Sequence, residues 1–113
     1  MRKHLIEQSA LDVATQVRAV EDSIETALAE IAELQGRMIR ARAVAGVGIA
    51  TGHDALEHLS SALQALVTAR GGMAGCHAAL RDAQTRVPGL RTTSFGDGSE
   101  CPEQKTAQLR AVA

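Results

Sequence analysis

The sequence predicts an all-α protein: a long antiparallel helical hairpin that dimerises into a four-helix bundle and carries an extended C-terminal tail. Apolar residues recur at alternating intervals of four and three over five heptads, which is the pattern of a helix lying along other helices. The 113 residues are 45% hydrophobic but include a single aromatic, so alanine and aliphatic side chains must form the core. Such a composition favours closely packed helices over sheets. Both prolines, Pro88 and Pro102, come late, and residues 1–88 are expected to form the hairpin.

The first helix is predicted over about residues 3–44. Ala14 and Leu28 lie beside its main apolar column, so the helix is expected to face more than one neighbour. The main column consists of Ile6, Ala10, Val13, Val17, Val20, Ile24, Ala27, Ile31, Leu34, Met38 and Ala41.

Residues 45–52 form the predicted connection, because they hold three glycines and no charge. Val47 and Ile49 are apolar for a loop. They either cap the end of a bundle or form an exposed apolar tip that meets a partner or a membrane surface.

The second helix is predicted over residues 52–87 and ends before Pro88. Large and small apolar residues alternate along it, which lets an antiparallel helix approach closely. The polar flank of Arg70, His77 and Gln84 is expected to be exposed or to carry a polar contact. The two apolar columns are Leu59, Leu66, Met73, Leu80 and Val87, and Ala62, Ala69, Cys76 and Ala83.

Charge placement favours the antiparallel arrangement. It is expected to set Arg37, Arg40 and Arg42, the one basic cluster, beside Asp54 and Glu57.

Two helices alone leave much of such wide apolar faces in water, so the hairpin is expected to self-associate as a homodimer. The predicted self-association seam comprises Val13, Val17, Val20, Ile24, Ile31, Leu34, Leu59, Leu66, Met73 and Leu80.

Gly71, Gly72 and Gly75 fall inside the second helix, where either the helix kinks or another group packs against the bare backbone. Residues 89–113 are predicted as an extended tail, in which Pro102 either opens a short terminal helix or the end frays. The tail holds Phe95, the sole aromatic, which is a candidate for folding back over the glycines or for anchoring a partner.

No catalytic residue, metal site or cofactor is predicted. His53 and His58 are five positions apart and so do not share a helix face, and His53 with Glu57 reads as an ordinary pair on one helix. A metal site shared across a dimer is the alternative. Cys76 and Cys101 are expected to be reduced thiols, with a bridge between them as the alternative.

The sequence therefore indicates a non-catalytic protein–protein interaction or structural module of the adaptor, inhibitor or mobile-element accessory type. It would engage an unknown protein through its tail or its bundle face. A net charge of −1 disfavours nucleic acid, and no apolar run is long enough to span a bilayer, so a cytoplasmic location is expected. The alternative is a small RNA-binding bundle that uses Arg37, Arg40 and Arg42.

Overall fold

A computed structural model describes residues 2–88 of the chain. Helix α1 spans Arg2–Ala45 and helix α2 spans His53–Gln84, and the part of the chain that the structure describes contains no strand. The prediction of two long helices and an all-α fold is confirmed, with helix ends within three residues of those expected. Residues 89–113, for which an extended tail with Phe95 and a possible terminal helix are predicted, lie outside the described residues.

The described residues belong to two compact units. One contains residues 20–75, in which the second part of α1, the turn and the first part of α2 form an antiparallel hairpin. An ion pair between Glu25 of α1 and Arg70 of α2 joins the two helices of this unit. The other unit contains residues 2–19 and 76–88. It holds Val17 and His77, the two buried residues of the described chain, each about 8% exposed.

The turn between the helices depends on two glycines. Gly46 follows α1 with a φ of 69°, and its N–H donates to the carbonyls of Arg42 and Ala43 at 3.1 and 3.2 Å. A left-handed glycine that satisfies the last carbonyls is the usual end of a helix. Gly52 precedes α2 with a φ of 80°, and its carbonyl accepts the N–H of Leu56 at 3.2 Å. These two positions set where each helix stops and starts.

Helix α2 ends earlier than predicted, at Gln84 instead of residue 87. The N–H groups of Thr85, Arg86 and Val87 each donate to a carbonyl three residues back, at 3.0–3.2 Å, which is the tighter pattern of a 3₁₀ turn. Pro88 accounts for the end of this turn, because a proline disfavours the α conformation of the residue before it, here Val87.

Helix α2 passes through its three glycines without a break. A Cβ atom built at Gly71, Gly72 or Gly75 meets nothing within 4 Å among the described residues beyond the backbone of its own turn of helix. Space is therefore open beside all three.

Candidate functional site

The apolar column of α1 is divided between covered and exposed positions. Val17 is buried and Val20, Ile24 and Ile31 are half-buried, whereas Val13 is 44% and Leu34 48% exposed. Buried or half-buried positions recur every seven residues through Ala10, Val17, Ile24, Ile31 and Met38, so this line is the centre of the covered face. Val13 and Leu34 lie on its edge and remain accessible.

Helix α2 is rotated relative to the sequence-based expectation. Leu59, Leu66, Met73 and Leu80 are half-buried as expected for a covered column, but the small column beside them is exposed. The flank of Arg70, His77 and Gln84, which was expected to be exposed or to carry a polar contact, contributes buried His77. The exposed small positions of that column are Ala62, Ala69, Cys76 and Ala83.

Side-chain size explains which flank of α2 is covered. The flank on the other side of the large column begins with Leu56 and Leu63, which are larger than alanine and remove more apolar area from water when they are covered. Arg70, on the same flank, donates a hydrogen bond to Glu25 across the hairpin. This hydrogen bond is the larger cause, and the negative charge of Glu25 the smaller cause, of a raised pKa at Arg70. The polar-contact alternative for this flank is therefore the one found at Arg70.

The exposed side of α2 carries a continuous stripe of small residues, which we call the small-residue face. Its members recur at alternating intervals of three and four, so they line one side of the helix. The column with Ala62 was visible in the sequence; the column through Ala65, Gly72 and Ala79 was missed, although the same spacing identifies it. The small-residue face consists of Ala62, Ala65, Ala69, Gly72, Cys76, Ala79 and Ala83, all exposed.

Within residues 20–75 the small-residue face and Leu34 lie on the same side of the hairpin. The Glu25–Arg70 pair marks one side. At about 100° per residue, Leu34 lies about 180° round α1 from Glu25, and Gly72 lies about 200° round α2 from Arg70. One side of this unit is therefore charged, and the opposite side presents exposed Leu34 next to small residues.

The basic cluster pairs differently from the prediction. Arg37 Nε lies 3.0 Å and Arg40 Nη2 3.8 Å from Glu33 Oε1, and Arg42 Nη1 donates to the carbonyl of Val47 at 2.9 Å. The expectation that these arginines pair with Asp54 and Glu57 is wrong, because a carboxylate on the same helix, within one or two turns, is reached at less cost in chain ordering. Since two of the three arginines share one carboxylate, the cluster is a weaker anion site than its sequence suggests.

The histidine cluster forms one ordinary pair. His53 Nε2 lies 3.0 Å from Glu57 Oε1, as expected for positions four apart on a helix. In residues 2–88, no group of three or more His, Cys, Asp or Glu side chains is placed to hold a metal ion. Cys76 is an exposed thiol on the small-residue face, whereas Cys101 lies outside the described residues.

The turn forms an exposed apolar tip. Ile49 is 83% and Val47 37% exposed, and Val44 in the last turn of α1 is 90% exposed, so of the two alternatives for Val47 and Ile49, the exposed tip describes Ile49. Beneath it lies a cavity of about 650 Å³, which we call the tip cleft. Its walls include Met38, Ile39, Arg42, Ile49, His53 and Leu56.

Neither described helix combines the length and the apolar character that crossing a membrane requires. Comparisons with models of protein families, with curated proteins and with solved structures find no match to this chain.

Proposed function

We propose that the chain is a non-catalytic protein-interaction module: a helical hairpin that binds a second copy of itself, most simply as a four-helix bundle, and then engages another protein. The observation that carries the proposal is how little of the hairpin is covered. Val17 is the one buried hydrophobic residue among residues 2–88, and no large side chain there is fully buried. A second hairpin would remove the remaining apolar side chains from water.

The small-residue face and Leu34 are the surface through which we expect the second copy to bind. Small side chains let two helices approach at the short end of the usual interaxial range of about 8–10 Å. Along α2 the stretch from Ala62 to Ala83 spans about 30 Å, which is long enough for an extended contact between two helices.

Sedimentation velocity over a range of protein concentrations tests this surface. Ala69→Arg places a long charged side chain in the middle of the small-residue face. Ala78→Arg is the matched control, because Ala78 is also exposed on α2 but lies about 180° round the helix from Ala69. We expect the unchanged chain and Ala78→Arg to sediment as dimers and Ala69→Arg as a monomer of unchanged helix content. A monomeric unchanged chain, or equal behaviour of the two variants, would contradict the proposal.

We place the anchor for the further protein partner at Phe95, because aromatic side chains supply much of the binding energy at interfaces. Affinity capture with the full chain and with Phe95→Ala tests this assignment. Proteins captured by the full chain and lost with Phe95→Ala support it, and an unchanged set of captured proteins would place the partner site elsewhere. The RNA-binding alternative has less support, because Glu33 already pairs with Arg37 and Arg40.

A further inference from the structure

The tip cleft has the size and lining of a small-molecule site. Its volume of about 650 Å³ lies within the range of about 300–1,000 Å³ that is usual for ligand pockets. Most of its wall is aliphatic, with Met38 and Ile39 from α1, Ile49 from the turn and Leu56 from α2. All of these residues belong to the unit of residues 20–75. The cleft therefore suits an apolar chain.

The charged groups in the wall indicate which end group that chain would carry. Arg42 and His53 are the ionisable residues that line the cleft. His53 is engaged by Glu57, whereas Arg42 donates one of its five N–H groups to a neutral backbone carbonyl, that of Val47. Residues 34–53 contain no Asp or Glu that could compete for Arg42 from within this segment.

We propose that the tip cleft binds a free aliphatic carboxylate, with its hydrocarbon chain against Met38, Ile39 and Leu56 and its carboxylate on the guanidinium of Arg42. Arginine binds carboxylates through paired, charge-assisted hydrogen bonds, which gives the ligand a fixed orientation. The aliphatic wall excludes water from the rest of the chain. This site goes beyond the proposed self-association, since none of the residues named for it belongs to the small-residue face.

Isothermal titration of the full chain with decanoate, below the concentration at which decanoate forms micelles, tests the site. Decanol is the matched neutral ligand. We expect decanoate to bind with a Kd on the order of 0.1 mM and decanol to bind at least about tenfold more weakly.

Substitutions assign binding to the cleft. Arg42→Gln should weaken decanoate binding about tenfold or more, while Arg42→Lys, which keeps the charge, should retain most of it. Arg37→Gln is the control, since Arg37 pairs with Glu33 and does not line the cleft. Ala55→Phe should fill the cleft and abolish binding, whereas Ala78→Phe, on the same helix but outside both the cleft and the small-residue face, should leave it unchanged. Circular dichroism of each variant should show unchanged helix content.

Several outcomes would overturn the proposal. Equal binding of decanoate and decanol would show that Arg42 does not select the end group. Equal losses in Arg42→Gln and Arg37→Gln would show that binding is not local to the cleft. Sedimentation with anionic vesicles in the absence of decanoate binding would assign the tip to a membrane surface instead. The monomeric variant Ala69→Arg should still bind decanoate, so failure of self-association and failure of this site are distinguishable.

Discussion

Replacing the glycines inside α2 with alanine should stabilise the protein. Three glycines within residues 71–75 suggest a position where only glycine fits, but the structure does not require glycine there. Gly71 and Gly75 lie in a continuous helix, and neither has a positive φ. A Cβ atom at either position meets nothing within 4 Å among the described residues beyond the local helix backbone. The folded state can therefore accept the extra methyl group without strain.

The size of the effect follows from the backbone freedom that glycine loses on folding. Glycine in a helix interior costs about 0.5–1 kcal/mol relative to alanine. Gly71→Ala and Gly75→Ala should each raise the free energy of unfolding by that amount, and the Tm by about 2–8 °C for a domain of this size. Thermal unfolding followed by far-UV circular dichroism measures both quantities.

Gly72→Ala separates the single hairpin from the assembled bundle. Gly72 belongs to the small-residue face, so its new methyl group would stand in the gap between two closely packed hairpins, whereas that of Gly71 would not. At low protein concentration the two substitutions should raise the Tm equally. At high concentration, where association adds to apparent stability, Gly72→Ala should raise the Tm less than Gly71→Ala. A fall in Tm for Gly71→Ala at low concentration would refute this reasoning, because it would mean that another part of the chain packs against the bare helix there.

Three further predictions concern other parts of the hairpin. Gly52→Ala should lower the free energy of unfolding by about 1–2 kcal/mol in a denaturant titration, because a φ of 80° is strained for any residue with a Cβ. Gly48→Ala is the control: Gly48 has no positive φ, so the free energy of unfolding should change little. Val17→Ala should lower the free energy of unfolding in urea by about 1.5 kcal/mol, because it removes two buried carbons. Val44→Ala, at a position 90% exposed, should change it little. Equal effects of the two substitutions would contradict the burial of Val17. A double-mutant cycle between Glu25→Gln and Arg70→Gln should give a small coupling energy that disappears at high salt, because both side chains are more than half exposed. A coupling energy that persists at high salt would indicate that the pair is covered in the assembled protein.

The apolar pattern of α1 contains the covered line through Ala10, Val17, Ile24, Ile31 and Met38, but it did not show that Val13 and Leu34 beside this line are exposed. The pattern of α2 did not predict which side is covered. Its large column has an apolar neighbour on both flanks, alanines on one and Leu56 and Leu63 on the other, and a rotation of the helix exchanges the two. Burial of His77 was not predictable, because a histidine is covered or exposed according to what packs on it.

For the candidate sites too, the sequence shows the residues but not how they are arranged. The glycines, the apolar turn and the small residues of α2 are visible in the sequence, but their use is not. The tip cleft exists because α1, the turn and the start of α2 each contribute part of its wall. The orientation of Arg42 toward the carbonyl of Val47, rather than toward Asp54 or Glu57, depends on the path of the turn.

By itself, the sequence determined that residues 2–88 form two helices and, to within three residues, where these begin and end, because heptad spacing, glycines and a proline act over a few neighbouring residues. Only the tertiary structure decided which sides of α2 are covered and which acid each arginine meets. Those outcomes depend on the rotation of one helix against the other, and the sizes of Leu56 and Leu63 favour the rotation that covers them.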